Sequence, residues 1–493
     1  MRAPYDRNIK IINVRMKVFC SVIVIFFSLL SEKSLSQPAL ERLLKANYMK
    51  GVSVSMMIKD MTTGEVVHSF DADREVMPAS VMKIVTTASA LELLGPHFSY
   101  KTQIMYDGRV GDNTLYGNLY IYGSGDPSLG SAEVGKDRDK ILIEWVEAIK
   151  KAGITSIIGS VIADESIFDS EGVSMKWMLE DLGNYYGSGS YGLNIFDNIY
   201  TLYLKTDSAK PDIIRSIPDM SFITFYNNLT TNQANRDSAY IIGLPLTNER
   251  FLHGVIPSNP REYSLKGDIP DPSLFLAQYF TQLLVKNSVK VSGAPACYRI
   301  LEQNNVWLSS ERTLLTSTSS PPLHELIRIT NFVSHNLYAD ALLKTIGLHN
   351  NDNDSSFGKG IQLLKKYWED KGINTSSLWM YDGSGLAATN KLTASFLCDL
   401  LTYMFTQSSF STQFIESLPR AGMDGTVANI LRNSVLQGVT RLKSGSMSRV
   451  RSYAGYVTKG QTSYALAIIF NNFSCSQAQM KSDIEHLLIS LLP

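Results

Sequence analysis

The chain has 493 residues, a length that predicts two or three domains rather than one compact unit. Hydrophobic residues make up 44% of it and charged residues 19%, a balance typical of globular proteins and not of disordered chains. The 46 basic and 46 acidic residues leave no net charge and form no basic stripe, which argues against nucleic acid as a partner. Metal catalysis is disfavoured too, because the histidines show no H-E-x-x-H spacing and Cys297, Cys398 and Cys475 are far apart.

A secretory signal peptide is predicted over residues 1–36. Five basic residues precede the apolar run Val18–Leu30, and the small residues Ser34 and Ser36 follow it. The run has 13 residues, whereas a transmembrane helix needs about 20. We therefore expect secretion with cleavage after Ser36, and an uncleaved anchor is the alternative.

The first folded elements are predicted to be a helix, Gln37–Asn47, and two strands, Val52–Lys59 and Glu65–Phe70. An apolar run follows that starts at Pro78 and stops at Gly95. Proline at the start and glycine at the end are typical helix boundaries, so we expect a helix here.

The rest of the chain changes texture twice. Over 104–309, short apolar runs alternate with turn residues, which predicts an inserted β-rich region, with a nested subdomain near 205–270. Over 310–493, helical patterns return, and strands and a final helix, Gln477–Leu491, close the chain. The segments 37–103 and 310–493 therefore predict one α/β (α+β) domain, with an antiparallel sheet flanked by helices and split by the insertion.

A serine and a lysine stand three residues apart in Met77–Thr86, M-P-A-S-V-M-K-I-V-T. On a helix, Ser80 and Lys83 share one face, a spacing that suits a nucleophile with its own base. The lysine acts as a base only when it is neutral, so its pKa must fall from about 10.4. Apolar neighbours such as Val81 and Met82 favour the burial that lowers it. Taken alone, this pair also fits an ordinary surface helix.

Two other polar clusters could carry chemistry. Ser334-x-Asn336, in a predicted corner between helices, sets a hydroxyl that can relay a proton beside an amide that can hold a carbonyl. In a predicted edge strand, Lys443 and Ser444 could bind an anion, and Gly445 leaves room for a ligand backbone. Alone, the first cluster also fits a polar helix start and the second an edge lysine that opposes aggregation.

The motifs occur in the order S-x-x-K, S-x-N 254 residues later and K-S-G another 109 residues on. This set resembles the active-site serine penicilloyl transferases. The long first interval is similar to the low-molecular-mass class C penicillin-binding proteins, the D-alanyl-D-alanine carboxypeptidase/endopeptidase family of the penicillin-binding protein 4 type. Three more segments of this chain resemble motifs of the family: Gly125–Leu129, Asp382–Asn390 and Leu418–Val427. The resemblance covers nearly the whole mature chain and implies a β-lactamase-like penicilloyl-transferase fold.

The resemblance implies hydrolysis of peptidoglycan stem peptides through an acyl-enzyme. Ser80 would attack the carbonyl of the penultimate D-alanine, or of a D-amino-acid cross-link, and Lys83 would take its proton. Ser334 would pass a proton to the leaving amine. Asn336 would orient the substrate amide and steady Lys83. β-Lactams are the implied acylating inhibitors, the periplasm or cell envelope is the implied location, and no cofactor or metal is implied.

The K-S-G strand has further implied roles. The charge of Lys443 would keep Lys83 neutral, and Lys443 and Ser444 would hold the terminal carboxylate of the substrate. Ser444 replaces the usual threonine of the family but keeps its hydroxyl. The backbone N–H groups of Ser80 and Ser446 would form the oxyanion hole.

One departure from the family affects the substrate side chain. Ala388 stands where the family has an arginine that helps bind the far end of diaminopimelate. The companions of that arginine, an acid and an aromatic residue in the insertion, correspond to Asp181 and Tyr186. Arg449 and Arg451 are candidates to replace the missing arginine.

Two other functions remain open at the level of sequence. One is a non-catalytic envelope protein that keeps the fold to bind peptidoglycan or a partner, although all three motifs are intact. The other is a β-lactamase or esterase on the same scaffold, which would turn over its penicilloyl adduct, whereas a peptidase would hold it.

Overall fold

The computed structural model describes residues 38–234, 236–258, 262–349 and 354–492. The predicted signal peptide, residues 1–36, lies outside the described residues. Within the described part of the chain, no helix combines the length and the apolar sequence that a bilayer crossing requires.

Helices and strands occur along the whole described chain. The α-helices are α1 Pro38–Leu44, α2 Met82–Leu94, α3 Lys140–Lys151, α4 Pro272–Lys286, α5 Tyr298–Gln303, α6 Leu323–Phe332, α7 Asn336–Gly347, α8 Phe357–Asp370, α9 Ala394–Thr406, α10 Ser411–Ser417 and α11 Gln477–Leu491. The strands are β1 Ser53–Asp60, β2 Val66–Phe70, β3 Lys101–Tyr106, β4 Arg109–Gly111, β5 Thr114–Tyr116, β6 Leu119–Tyr122, β7 Ser156–Ile158, β8 Val161–Asp164, β9 Ile199–Lys205, β10 Asp212–Ile217, β11 Thr224–Asn232, β12 Tyr240–Ile242, β13 Glu249–Pro257, β14 Tyr263–Asp268, β15 Lys290–Val291, β16 Ala296–Cys297, β17 Thr313–Ser319, β18 Thr440–Met447, β19 Val450–Lys459 and β20 Thr462–Asn471.

A five-stranded antiparallel sheet joins the two ends of the chain, in the order β18-β19-β20-β1-β2. The strands β19 and β20 are almost entirely buried and rich in Val, Ile, Tyr and Phe, a composition typical of strands covered on both faces. Helices cover each face, so the predicted fold class, an antiparallel sheet flanked by helices, is confirmed.

The two faces of the sheet have separate cores. Helices α2 and α6 to α10 pack on one face, where Trp368 and Tyr456 are buried. Helices α1 and α11 pack on the other face, with Leu40, Tyr453 and Ile484 in its core. The active-site motifs belong to the first face, because α2 and α7 carry two of them.

A β-rich block lies between α2 and α6 in the chain, as the predicted fold class requires. The strands β3 and β17, by which the chain enters and leaves the block, pair with each other. The block contains two larger sheets, β16-β8-β6-β3-β17 and β15-β7-β5-β4, and two three-stranded ones, β10-β9-β14 and β11-β13-β12. They share one hydrophobic core that includes Trp145, Tyr200 and Phe280. The exact residue boundaries of the domains stay predictions.

Helix α2 is the central helix of the molecule. Its residues Met82–Leu91 are all buried, the polar Lys83, Thr86, Thr87 and Ser89 among them. A single turn, Ala79–Val81, precedes it, and Gly95, with a φ of 80°, ends it. Ser80 therefore lies at the entrance to a buried helix, which gives it a rigid position.

The first helix is shorter than predicted. It ends at Leu44, and the chain then tightens into the turn Asn47–Met49, which buries Met49 against the sheet. The final helix, Gln477–Leu491, has the predicted bounds.

Candidate active site

Lys83 is the centre of a hydrogen-bonded cluster. Its Nζ lies 3.1 Å from Ser80 Oγ, 2.6 Å from Asn336 Oδ1 and 2.6 Å from the backbone oxygen of Ser384. The lysine is fully buried, with 0% of its surface exposed. The structure thus brings the S-x-x-K and S-x-N motifs together, although 253 residues separate Lys83 from Asn336.

Burial lowers the pKa of Lys83 to about 8, since a charged amine loses its hydration in the protein interior. The carboxyl groups of Asp340 and Asp382 act in the opposite direction and favour the charged form. Near neutral pH the amine therefore loses its proton far more easily than an exposed lysine does, as a general base must.

We expect kcat/KM for a D-alanyl-D-alanine peptide, and the rate of acylation by penicillin, to rise with pH. The neutral amine is the active form, and a pKa of about 8 for Lys83 means that its fraction increases about tenfold between about pH 7 and pH 9. Acylation rates measured by stopped-flow mixing across this range check the prediction. A flat profile would contradict Lys83 as the base.

Ser334 and Lys443 form a second pair at the site. Ser334 lies in the corner between α6 and α7 with a φ of 61°, and its Oγ accepts a hydrogen bond from Lys443 Nζ at 2.9 Å. Lys443 also donates to the backbone oxygen of Ser444 at 2.7 Å. All three motifs therefore meet in one place.

Burial is the cause of the lowered pKa of Lys83, as its apolar neighbours in the sequence predict. The resemblance also implied a contribution from the positive charge of Lys443, and that contribution stays a prediction. Lys443 is itself fully buried, and burial together with the charge of Lys83 holds the pKa of Lys443 well below its usual range.

The side chain of Asn336 is held from both ends. Its Oδ1 accepts from Lys83, and its Nδ2 donates to the backbone oxygen of Tyr186 at 2.8 Å. Tyr186 belongs to the insertion, so the inserted block takes part in orienting an active-site amide. The remaining capacity of the Asn336 amide is open to a substrate.

Gly445 allows the K-S-G strand to approach the start of α2. A Cβ at this position would lie 3.0 Å from Ser80 N and would collide with the Ser452 hydroxyl and the Pro78 carbonyl. The Ser452 hydroxyl in turn donates to that carbonyl at 2.6 Å. Glycine is needed here because of this close contact, and the contact fixes β18 beside Ser80.

Strand β18 lies at the edge of the sheet, and its first residues, Thr440–Leu442, pair with Pro419–Ala421. Further along the strand, Ser446 is exposed. The Ser444 hydroxyl donates to Thr426 Oγ1 at 2.8 Å, and Thr426 is also exposed. An edge strand of this kind can pair with an extended peptide. Thr426 lies in the family-like stretch Leu418–Val427, but the sequence alone does not mark its hydroxyl as part of the site.

Asp181 and Tyr186 lie close to this site but differ in exposure and contact. Asp181 is buried, with 6% exposed, and accepts a hydrogen bond from Met178 N at 3.3 Å. Burial raises the pKa of its carboxyl to about 6. Tyr186 contacts the site through its backbone oxygen, and burial raises the pKa of its phenol to about 12.

The two arginines considered as replacements for the family arginine are engaged elsewhere. Arg449 donates to the backbone oxygens of Phe473, at 3.0 Å, and Asn472, at 2.6 Å. Arg451 donates to the Tyr453 hydroxyl at 2.8 Å. These hydrogen bonds hold both guanidinium groups near the sheet, and the replacement of the family arginine by either one stays a prediction.

Asp382 is a site residue whose role was missed from the sequence. It is fully buried and organises the loop whose Ser384 carbonyl accepts from Lys83. Its carboxylate accepts hydrogen bonds from Gly385 N, Ala387 N, Asn390 Nδ2 and Trp177 Nε1. Asp382 is the first residue of the family-like motif Asp382–Asn390, so the sequence did draw attention to this segment. The motif alone does not reveal that the loop folds back on Lys83.

Asp340 was missed as well. It lies one helical turn after Asn336 on α7, is fully buried and accepts from Gly383 N at 2.7 Å. Burial and the nearby Asp382 raise the pKa of Asp340 well above its usual range. The sequence does show Asp340 four residues after Asn336, a separation that places the two residues on the same face of a helix.

Comparison with known proteins gives consistent matches. The family model described as the D-Ala-D-Ala carboxypeptidase 3 (S13) family matches residues 36–490. A D-alanyl-D-alanine carboxypeptidase of Actinomadura sp. (strain R39) is 28% identical over 448 residues, 88% of this chain and 80% of that protein. The D-alanyl-D-alanine carboxypeptidase DacB of Haemophilus influenzae is 22% identical, over 95% of this chain and 96% of that protein.

A solved structure shares the fold. The crystal structure of penicillin binding protein 4 (dacB) from Haemophilus influenzae superposes with a TM-score of 0.76 at 20% identity. The match covers 90% of this chain and 97% of that one. With the family model matching residues 36–490, the predicted serine-type D-alanyl-D-alanine carboxypeptidase is confirmed. The chain belongs to the D-Ala-D-Ala carboxypeptidase 3 (S13) family of serine peptidases.

Proposed function

We propose that the chain is secreted and hydrolyses peptidoglycan stem peptides in the periplasm or cell envelope, as a carboxypeptidase, an endopeptidase or both, with Ser80 as its nucleophile. The predicted signal peptide over residues 1–36 supports the location. Membership of the S13 family supports the substrate class. The proposed site consists of Ser80, Lys83, Ser334, Asn336 and Lys443.

The hydrogen bonds of Lys83 carry this proposal. A neutral amine has two N–H donors and one lone pair. The two donors match Asn336 Oδ1 and the Ser384 carbonyl, both at 2.6 Å, and the lone pair is left for the Ser80 hydroxyl at 3.1 Å. All three partners can also accept from the charged ammonium, and in the neutral form the Ser80 hydroxyl turns its proton toward the lone pair, the arrangement that transfers the proton to Lys83.

The first step is attack on the substrate carbonyl. Ser80 Oγ bonds to the carbonyl carbon while Lys83 Nζ takes the hydroxyl proton. The developing oxyanion is bound by the backbone N–H groups of Ser80 and Ser446, which lie in the turn before α2 and on the adjacent edge strand. Such donors are each worth about 2.7–4 kcal/mol in related chemistry.

The second step is departure of the amine. Ser334 passes it a proton, a role that the hydrogen bond from Lys443 Nζ to Ser334 Oγ supports. Lys443 and Ser444 bind the carboxylate of the leaving residue. Water then hydrolyses the acyl-enzyme and releases the shortened peptide.

The insertion is proposed to complete the substrate site. We assign segments 37–103 and 310–493 to the catalytic domain and 104–309 to the insertion. Asp181 and Tyr186 are its proposed contacts with the side chain of the third stem residue. The family arginine is absent there, so a side chain that ends in a carboxylate loses one partner.

β-Lactams are proposed to acylate the same serine. A strained lactam presents its carbonyl to Ser80 as a D-alanyl peptide does. The Haemophilus influenzae neighbour is named penicillin binding protein 4, which states that that protein binds penicillin.

Digestion of purified muropeptides tests the function. Chromatography with mass analysis should show loss of a terminal D-alanine from pentapeptides, conversion of cross-linked dimers to monomers, or both. Ser80→Ala protein serves as the control for contaminating hydrolases. Pentapeptides and dimers that both stay whole would contradict the proposed substrate class.

A further inference from the structure

The middle residue of the S-x-N motif contacts the insertion. His335 Nε2 lies 3.3 Å from Asp197 Oδ1, and only 14% and 12% of the two side chains are exposed. Asp197 is the centre of the turn Phe196–Asn198, in which all three residues have a positive φ, between 54° and 59°. Residues other than glycine adopt this backbone only when their surroundings hold it, so the turn is a built feature of the insertion.

Asp197 is fixed within the insertion. Ala132 N donates to Asp197 Oδ2 at 3.3 Å, and the neighbouring Asn198 donates its Nδ2 to the backbone oxygen of Gly189 at 2.8 Å. Burial raises the pKa of Asp197, but its contacts with His335 and with Ala132 outweigh burial and leave the pKa below its usual value. A rigid carboxylate therefore faces His335.

His335 is fixed on the opposite side of the contact. Its N–H donates to the Thr330 backbone oxygen at 3.1 Å, and its ring lies against Tyr338 with centroids 4.4 Å apart. The residues on either side of it are Ser334, with a φ of 61°, and Asn336, which begins α7. His335 is covalently joined to Ser334 and Asn336 through the backbone. Contacts that hold the backbone and ring of His335 therefore also limit how the serine and the asparagine can be oriented.

We propose that His335 and Asp197 form a positioning pair, which anchors the S-x-N corner to the insertion and keeps Ser334 Oγ aligned for proton transfer to the leaving amine. The pair touches no reacting atom and acts through Ser334. The inference rests on the role proposed for Ser334 above. It makes the insertion part of the catalytic apparatus as well as part of the substrate site.

The test compares an amide with a thioester that carry the same acyl group. An amine needs a proton to leave, whereas a thiol with a pKa of about 8.5 leaves readily as the thiolate. A misplaced Ser334 therefore slows hydrolysis of the amide and spares that of the thioester. A general loss of structure lowers kcat/KM for both substrates alike.

The variants are chosen to keep the backbone. Asp197→Asn removes the charge with a residue that tolerates positive φ. His335→Phe keeps the ring that packs on Tyr338 but removes its nitrogen, and His335→Gln restores a donor. Asp112→Asn is the matched control, since Asp112 has a φ of 50° and is exposed, in the turn between β4 and β5 of the insertion.

For Asp197→Asn and His335→Phe we expect kcat/KM on the amide to fall about tenfold and that on the thioester less than about threefold. His335→Gln should recover part of the amide rate, and Asp112→Asn should change neither. Rates are expressed per active site titrated with penicillin, so unfolded protein does not enter them. Should His335→Phe not fold, Asp197→Asn decides the outcome.

Ser334→Ala distinguishes the proton relay proposed for Ser334 from the positioning role proposed for His335 and Asp197. If it is selective for the amide but the pair variants slow both substrates equally, or neither, the positioning role is overturned. If Ser334→Ala itself shows no selectivity, the proton relay proposed for Ser334 fails, and the inference fails with it. Selective loss in both sets of variants supports both.

Discussion

Replacing Ser80 with alanine is expected to abolish labelling by a fluorescent penicillin and to lower peptide hydrolysis by about 10⁴-fold or more. The size of the effect follows because removal of a nucleophile leaves only binding and the oxyanion hole to act on the substrate. The fold should remain, since the change removes a single hydroxyl, which is hydrogen-bonded to Lys83 Nζ at 3.1 Å. One such hydrogen bond contributes about 1 kcal/mol to stability.

The measurement for Ser80→Ala is gel fluorescence after labelling, alongside a thermal unfolding curve. Ser490→Ala is the matched control, because Ser490 is an exposed serine on α11, on the opposite face of the sheet. The control should label like the wild type. Label retained by Ser80→Ala would show that another residue is the nucleophile.

Lys83→Arg is expected to lower the acylation rate by about 10³-fold, close to the loss expected for removing a general base. Arginine keeps a positive charge and several donors, but its pKa above 12 prevents it from accepting the proton of Ser80. The conservative substitution is thus predicted to be nearly as damaging as alanine. If charge and hydrogen bonding alone mattered, Lys83→Arg would retain most of the rate.

Lys344→Arg provides the control for placing arginine in the core. Lys344 is fully buried, pairs with Asp169 at 2.5 Å and lies outside the proposed site. We expect Lys344→Arg to lower the thermal midpoint while the acylation rate per titrated site stays within about threefold. Stopped-flow acylation of both variants makes the comparison. An equal loss of rate in both would assign the effect of Lys83→Arg to packing.

The features that local patterns determine were predictable. Strand β1 and helix α11 have nearly the predicted bounds, because alternation and helical periodicity act over a few neighbouring residues. The start of α2 was marked by Pro78 and its end by Gly95. The meeting of Ser80, Asn336 and Lys443 was predicted from motif resemblance rather than from any local rule.

What escaped prediction depends on contacts between distant segments. The Ser384 carbonyl reaches Lys83 only because Asp382 bends its loop back onto α2. The Tyr186 carbonyl bonds Asn336 across 150 residues of sequence. The burial that lowers the pKa of Lys83 was predictable from its apolar neighbours, whereas the carboxyl groups of Asp340 and Asp382 that oppose it come from distant segments of the chain.

Ser80, activated by Lys83, is the residue proposed to become acylated. Peptide mapping by mass spectrometry after brief exposure to benzylpenicillin tests it most directly. The account predicts a penicilloyl adduct on the peptide that contains Ser80 and on no other peptide. An adduct on a different residue, or none on folded protein, would contradict the account.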